Sequence, residues 1–253
     1  MTLMQSKLMT SSLIIATAGL FSVGCMPPKG GGGGGSDKPP KEPEVKPEDV
    51  TRCGPDGLID DCEDNNNQIA TVAGRGGYWY TFVDDAGTTI DPAPGGTYPM
   101  SEGGANGSGY AARMSGKIAE NGSPLFAGLG FNWIDPKDKY DASKYGGIAF
   151  WAKKGTDKYG KIRIKIPDVN TDPQGGVCTE CYNDFGIDLE LTDTWTEYVV
   201  TWEIAKQMPY WGKPNPEKID PKTLYSFQIQ VNKAGQEYEI WIDDISFIGC
   251  GAK

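Results

Sequence analysis

The sequence predicts an all-β fold: a single antiparallel β-sandwich of jelly-roll type. Three observations carry this. Ten short segments have strand character and are set apart by Gly-, Pro-, Asn- and Asp-rich turns. No strand–helix–strand alternation interrupts them, and the stretch after Cys53 suits one large β domain with no internal repeat.

In chain order the expected strands are 58–63, 78–83, 110–118, 126–131, 147–153, 161–167, 185–189, 197–201, 226–231 and 238–247. "KIRIKIP" sets Ile inward against Lys and Arg outward, the alternation of a half-buried strand, and "TEYVVTWEI" and "SFQIQV" read alike. Helical character is confined to "DASKYGG" and "PEKIDPKTL". In "GRGGYWYTFVDD" three consecutive rings cannot all enter one core, because a strand sends successive side chains to opposite faces. Trp79 is expected inward, with Tyr78 and Tyr80 outward. Trp151, Trp195 and Trp202 are expected in the core or framework.

The chain has a formal charge of −10 and no histidine. An acidic surface lacks the Lys/Arg footprint that nucleic-acid phosphates need, so nucleic acid is not an expected partner. The missing histidine removes Ser–His triads, HExxH zinc sites and the commonest general base.

Three regions follow one another. Residues 1–25 place one early Lys before an apolar run that ends in small residues ahead of Cys25, the layout of an export signal. Ser22-Val23-Gly24-Cys25 resembles a bacterial lipobox, with Ser22 where Leu is usual, and implies that Cys25 is lipidated. Residues 26–52 are Gly-rich, then Pro- and charge-rich. They form a tether whose coil reach is on the order of 25–30 Å. Residues 53–253 form the sandwich domain. Met26 after the Cys, by resemblance to Gram-negative lipoproteins, favours the outer membrane or cell surface, with the membrane reached through the lipid. A monomer is expected.

Outside the cytoplasm the other five cysteines should pair, and one is left over. Cys53 precedes the first strand and Cys250 follows the last, so the two meet if those strands are antiparallel neighbours. Cys178 and Cys181 in "GGVCTECYNDF" fit a small loop disulfide; a zinc reading of that CxxC needs two further ligands. Cys62 is expected mid-strand, free and buried.

The succession "LIDDCED", "YDASKYGGIAFWAK", "KIRIKIPD", "LTDTWTEYVVTWE", "IDPKTLYSFQIQV" and "YEIWIDDISFIG" resembles galactose-binding-like jelly rolls, most nearly the family 11 carbohydrate-binding modules. The resemblance spans most of residues 56–249. Two long loops, 87–109 and 168–186, depart from the simple module, and long loops on a rigid sandwich commonly carry binding. The resemblance implies a structural Ca²⁺ where the first and last strands meet. Asp61, Glu63, Asp243 and Asp244 match those positions with hard oxygen donors.

It also implies a sugar-binding face. Sugars stack C–H faces on rings and give hydroxyls to polar groups. The candidates are Tyr78, Tyr80 and Asp84 at the aromatic run, Tyr182 and Asp184 after the CxxC, and Tyr210 and Trp211 in "KQMPYWGKPNP". The concave sheet would add Arg163, Lys165, Gln228 and Gln230. The expected function is a surface-tethered, non-catalytic carbohydrate-binding lipoprotein that recognises poly- or oligosaccharide. A jelly-roll hydrolase or lyase is the enzyme alternative, with Asp188 and Glu190 of "DLELTD" as its nearest carboxylate pair, since retaining hydrolysis needs two carboxylates about 5–5.5 Å apart. A protein-binding adhesin is the third reading.

Overall fold

A computed structural model describes residues 46–250, and the expected signal peptide, Cys25 and most of the tether lie outside the described residues. Twelve strands run in chain order: β1 (Leu58–Asp60), β2 (Trp79–Val83), β3 (Thr89–Asp91), β4 (Ser101–Glu102), β5 (Tyr110–Lys117), β6 (Ala127–Asn132), β7 (Gly147–Lys154), β8 (Lys161–Ile166), β9 (Phe185–Glu190), β10 (Thr196–Thr201), β11 (Ser226–Val231) and β12 (Glu237–Ile248). One sheet has the order β10-β7-β12-β5-β3, with β1 on β12 and β4 on β5; the other has the order β2-β6-β11-β8-β9. All the strand pairs within these two sheets are antiparallel.

Period-2 alternation builds the core. Ile162, Ile164 and Ile166 of β8 are buried, as are Phe227, Ile229 and Val231 of β11 and Ile240 and Ile242 of β12. Burying one such side chain stabilises by roughly 1.5–3 kcal/mol. Trp79, Phe131, Trp133 and Phe247 pack among them in stacked and edge-on pairs 4.9–5.3 Å apart. Trp79 is turned into the core as expected, while Tyr78 is exposed and Tyr80 half-buried.

The chain ends are stapled. Cys53 pairs with Cys250, Cys178 pairs with Cys181, and Cys62 is free and buried. The packed unit begins a little ahead of Cys53. Val50 packs on Ala149, Val199 and Ile248, and Arg52 donates to Glu197 at 2.6 Å and to the Asp244 carbonyl at 2.6 Å.

Four expectations are corrected. "DASKYGG" and "PEKIDPKTL" are turns, because they hold no apolar stripe long enough to nucleate a helix; the helical turns are short 3₁₀ segments elsewhere. Cys62 is not mid-strand: β1 stops at Asp60, and Cys62 follows it at φ 58 with its N–H bound to Asp60 Oδ1. Loop 87–109 is partly sheet, since β3 and β4 both pair with β5, and Tyr98 from this loop stacks on Trp79 at 5.7 Å. Trp151 and Trp195 are half-buried, not core. Trp151 takes the face of β7 opposite Ile148 and Phe150, and Trp195 lies under the Lys153 ammonium at 4.8 Å.

Candidate functional site

The outward face of the five-stranded sheet is set by register. Tyr80 pairs with Gly130, Gly130 with Gln228, Gln228 with Lys165, and Lys165 with Gly186. One step along the strands, Phe82, Gly128, Gln230, Arg163 and Asp188 form a second row. Each row has a ring at one edge, a glycine beside it and polar groups beyond. The glycines let rings lie low: a Cβ on Gly128 would stand 2.2 Å from Phe82 Cζ. The result is a cleft of about 1220 Å³, walled by Tyr80, Phe82, Leu125 and Phe126 on one side and by Tyr182, Met208 and Trp211 on the other.

Its floor is bonded together before any ligand arrives. Gln228 Nε2 donates to Tyr80 Oη at 2.8 Å, bridging over Gly130. Desolvation pushes the Tyr80 phenol up to about 12, so the hydroxyl keeps its proton at any physiological pH. Lys165 Nζ reaches Asp184 Oδ2 at 2.9 Å and Gln230 Oε1 at 3.2 Å. Arg163 donates to Asp188 Oδ1 at 3.0 Å and to the Lys206 carbonyl at 2.7 Å. Held donors and acceptors flanked by rings can meet the hydroxyls and flat C–H faces of a sugar without reorganising.

Seven of the residues expected at a ligand face come together here: Tyr80, Arg163, Lys165, Tyr182, Trp211, Gln228 and Gln230. Four do not line the cleft. Tyr78 precedes β2 and bridges to Gln68. Asp84 takes the N–H groups of Ala86 and Phe126 and the Thr88 hydroxyl, so it ties two loops together. Asp184 is buried as the counter-ion of Lys165. Tyr210 points into solvent, 101% exposed.

Sequence reasoning missed Phe82, Phe126, Asn132, Lys137 and Met208, all of which line the cleft, and it singled out Asp188, which also lines it, only as a carboxylate of the enzyme alternative. Phe82 could have been found, since it is two residues from Tyr80 on one strand face. Asp188 depends on the β8–β9 register, which no single segment reveals. Of the two long loops only 168–186 reaches the cleft.

The four acids expected to hold a cation gather where β1 meets β12. Asp243 is buried and accepts the N–H of Ala105 at 2.8 Å and of Asp244 at 2.7 Å. Glu63 takes the Ser108 hydroxyl and the N–H groups of Gly109 and Tyr110. Two of the four thus spend their oxygens closing turn 104–110. Among the described residues no group of three or more acids and cysteines stands in a metal-holding arrangement. Burial pushes Asp243 up to about 6 and raises Asp244, which also feels Asp61 and Glu63.

No protein-family model matches the sequence, and no curated protein matches it. Solved structures do match. The family 11 carbohydrate-binding module of the Clostridium thermocellum cellulase Lic26A-Cel5E is 14% identical, covers 76% of this chain and 93% of its own, and superposes with a TM-score of 0.52. The C. thermocellum family 11 module in complex with a β-1,3-1,4-mixed-linked tetrasaccharide gives 14%, 77%, 95% and 0.54. The family 30 module of cellulase Cel9D-Cel44B from the same organism gives 15%, 74%, 99% and 0.50. The chain has the β-sandwich fold of these carbohydrate-binding modules.

Proposed function

We propose that this protein is a non-catalytic carbohydrate-binding lipoprotein, tethered at the outer membrane or cell surface, that holds a poly- or oligosaccharide in the cleft of its five-stranded sheet. The observation that carries the reading is the pair of cross-strand rows: rings at one edge, hydrogen-bonding groups at the other, and glycines between them. The same fold in the module solved with a mixed-linked tetrasaccharide supports it. Anchoring rests on the lipobox at Cys25 and the Gly/Pro-rich segment behind it.

The chemistry of the cleft favours binding over hydrolysis. Asp188 lines it but is paired to Arg163, and Glu190, two residues on along β9, is paired to Lys161 at 3.5 Å. A retaining hydrolase would need one of two such groups as a free nucleophile and the other as an acid. A glycan array run beside a reducing-sugar release assay tests the reading. Binding without release supports it; release from a bound glycan makes the chain an enzyme. Silence across the array, with retention on a protein partner, makes it an adhesin.

A further inference from the structure

The cleft wall made by Met208 and Trp211 comes from a Pro- and Gly-rich loop that forms no strand. Such a loop would be expected to move, yet one side chain spans it. Asn183 is 1% exposed. Its Nδ2 donates to the Met208 carbonyl at 2.8 Å and to the Trp211 carbonyl at 2.6 Å, and its Oδ1 accepts the Met208 N–H at 2.9 Å. Its own carbonyl accepts Gln207 Nε2 at 2.9 Å. A carboxamide that donates twice and accepts once replaces the ladder partner this loop lacks.

The neighbouring backbone is shaped around that side chain. Gly212, at φ 88, lies so close that a Cβ there would sit 2.7 Å from Asn183 Cβ. Glu180, enclosed by the Cys178–Cys181 disulfide, forms a bridge with Lys213 between the two segments. Tyr182 and Tyr210 both hold positive φ, 73° and 76°, a conformation bulky side chains keep only where the surroundings impose it.

We propose that Asn183 is a positioning residue for glycan recognition: it holds Trp211 and Met208 in the cleft wall, so that two loops far apart in sequence act as one rigid lip. This rests on the glycan-binding reading above. A preset lip does not lose its conformational freedom when ligand binds, and that is where the affinity gain arises. Asn183→Asp is the informative variant. It keeps shape and the acceptor but loses both donors, setting a carboxylate oxygen against two carbonyls.

Two readouts separate the proposal from a plain packing role. The first needs no glycan. Acrylamide should quench tryptophan emission more strongly in Asn183→Asp than in wild type, and the difference should vanish in a Trp211→Phe background. The second is affinity electrophoresis in the polysaccharide that retards wild type. Asn183→Asp should weaken binding by about tenfold, the worth of one stacked ring. In a Trp211→Ala background the same change should add little, since coupled residues are non-additive. Melting curves must first show both variants folded; should Asn183→Asp not fold, Asn183→Ser, which keeps a small polar group, takes its place. Unchanged quenching overturns the proposal whether or not any glycan binds. Greater quenching with unchanged affinity overturns the role in recognition while leaving the loop latch standing.

Discussion

The Trp79 indole Nε1 donates to Asp60 Oδ2 at 2.6 Å, both side chains being buried. The ring that had to turn inward from the aromatic run thus brings a carboxylate of β1 into the core with it.

Burial outweighs the two hydrogen bonds Asp60 accepts and pushes it up to about 7. A carboxyl raised on folding binds more protons in the native state than in the unfolded one between its two pKa values. Stability therefore falls as pH rises across that interval, from about 4 upward. Asp243, raised by burial to about 6, contributes with the same sign. Asp60→Asn removes one of these titrations, so its melting temperature should decline less than wild type between about pH 4.5 and 7.5. Parallel declines for the two proteins would contradict the assignment.

Trp133 is fully buried and touches Phe131, Tyr140 and Phe247, whereas Trp195 is half-buried beneath Lys153. Trp133→Ala should cost about 3–5 kcal/mol in urea unfolding. Trp195→Ala should cost clearly less, about 1–2 kcal/mol, from partial burial and one cation–π contact. An equal loss at the two positions would show that the outer-face ring is structurally central.

These tryptophans also show what the sequence could reveal. Alternation within a strand identified the buried partners in β8 and β11 and the inward ring of β2, because each is a property of one segment. Trp151 continues the apolar run Ile148-Ala149-Phe150, but which face of β7 is covered depends on the second sheet. Trp195 stands among Thr, Asp and Glu just ahead of β10, where only the neighbouring strand shows what covers its ring. Likewise Tyr80 and Gln228 could each be singled out, while the Gly130 between them, which makes them neighbours across a trough, follows from the register of three strands. Asn183 was visible only as one polar residue after a CxxC, since its three partners lie in another loop.

Calcium at the β1–β12 junction is a proposal that one titration tests. A cation that binds only the folded state raises the melting temperature with its concentration. Added Ca²⁺ should stabilise and EDTA destabilise the protein, and Asp244→Asn should blunt both effects. An identical melting curve in Ca²⁺ and EDTA would remove Asp61, Glu63, Asp243 and Asp244 as ligands.

Cys25→Ser should move the protein from the membrane pellet to the soluble fraction, because a lipidated Cys is the anchor the lipobox implies. Retention in the pellet at the wild-type level would contradict anchoring through that residue.

Affinity electrophoresis against soluble glucans, mannans, xylans and pectins tests whether the five-stranded sheet carries a glycan cleft. Wild type should be retarded by at least one polysaccharide. Tyr80→Ala and Trp211→Ala, which remove rings from opposite walls, should each lose about 1–3 kcal/mol of binding. Tyr210→Ala, whose ring lies outside the cleft, should migrate as wild type does and melt within about 0.5 kcal/mol of it. If no polysaccharide retards wild type, or the two wall variants are retarded as strongly as wild type, the cleft is not the binding site.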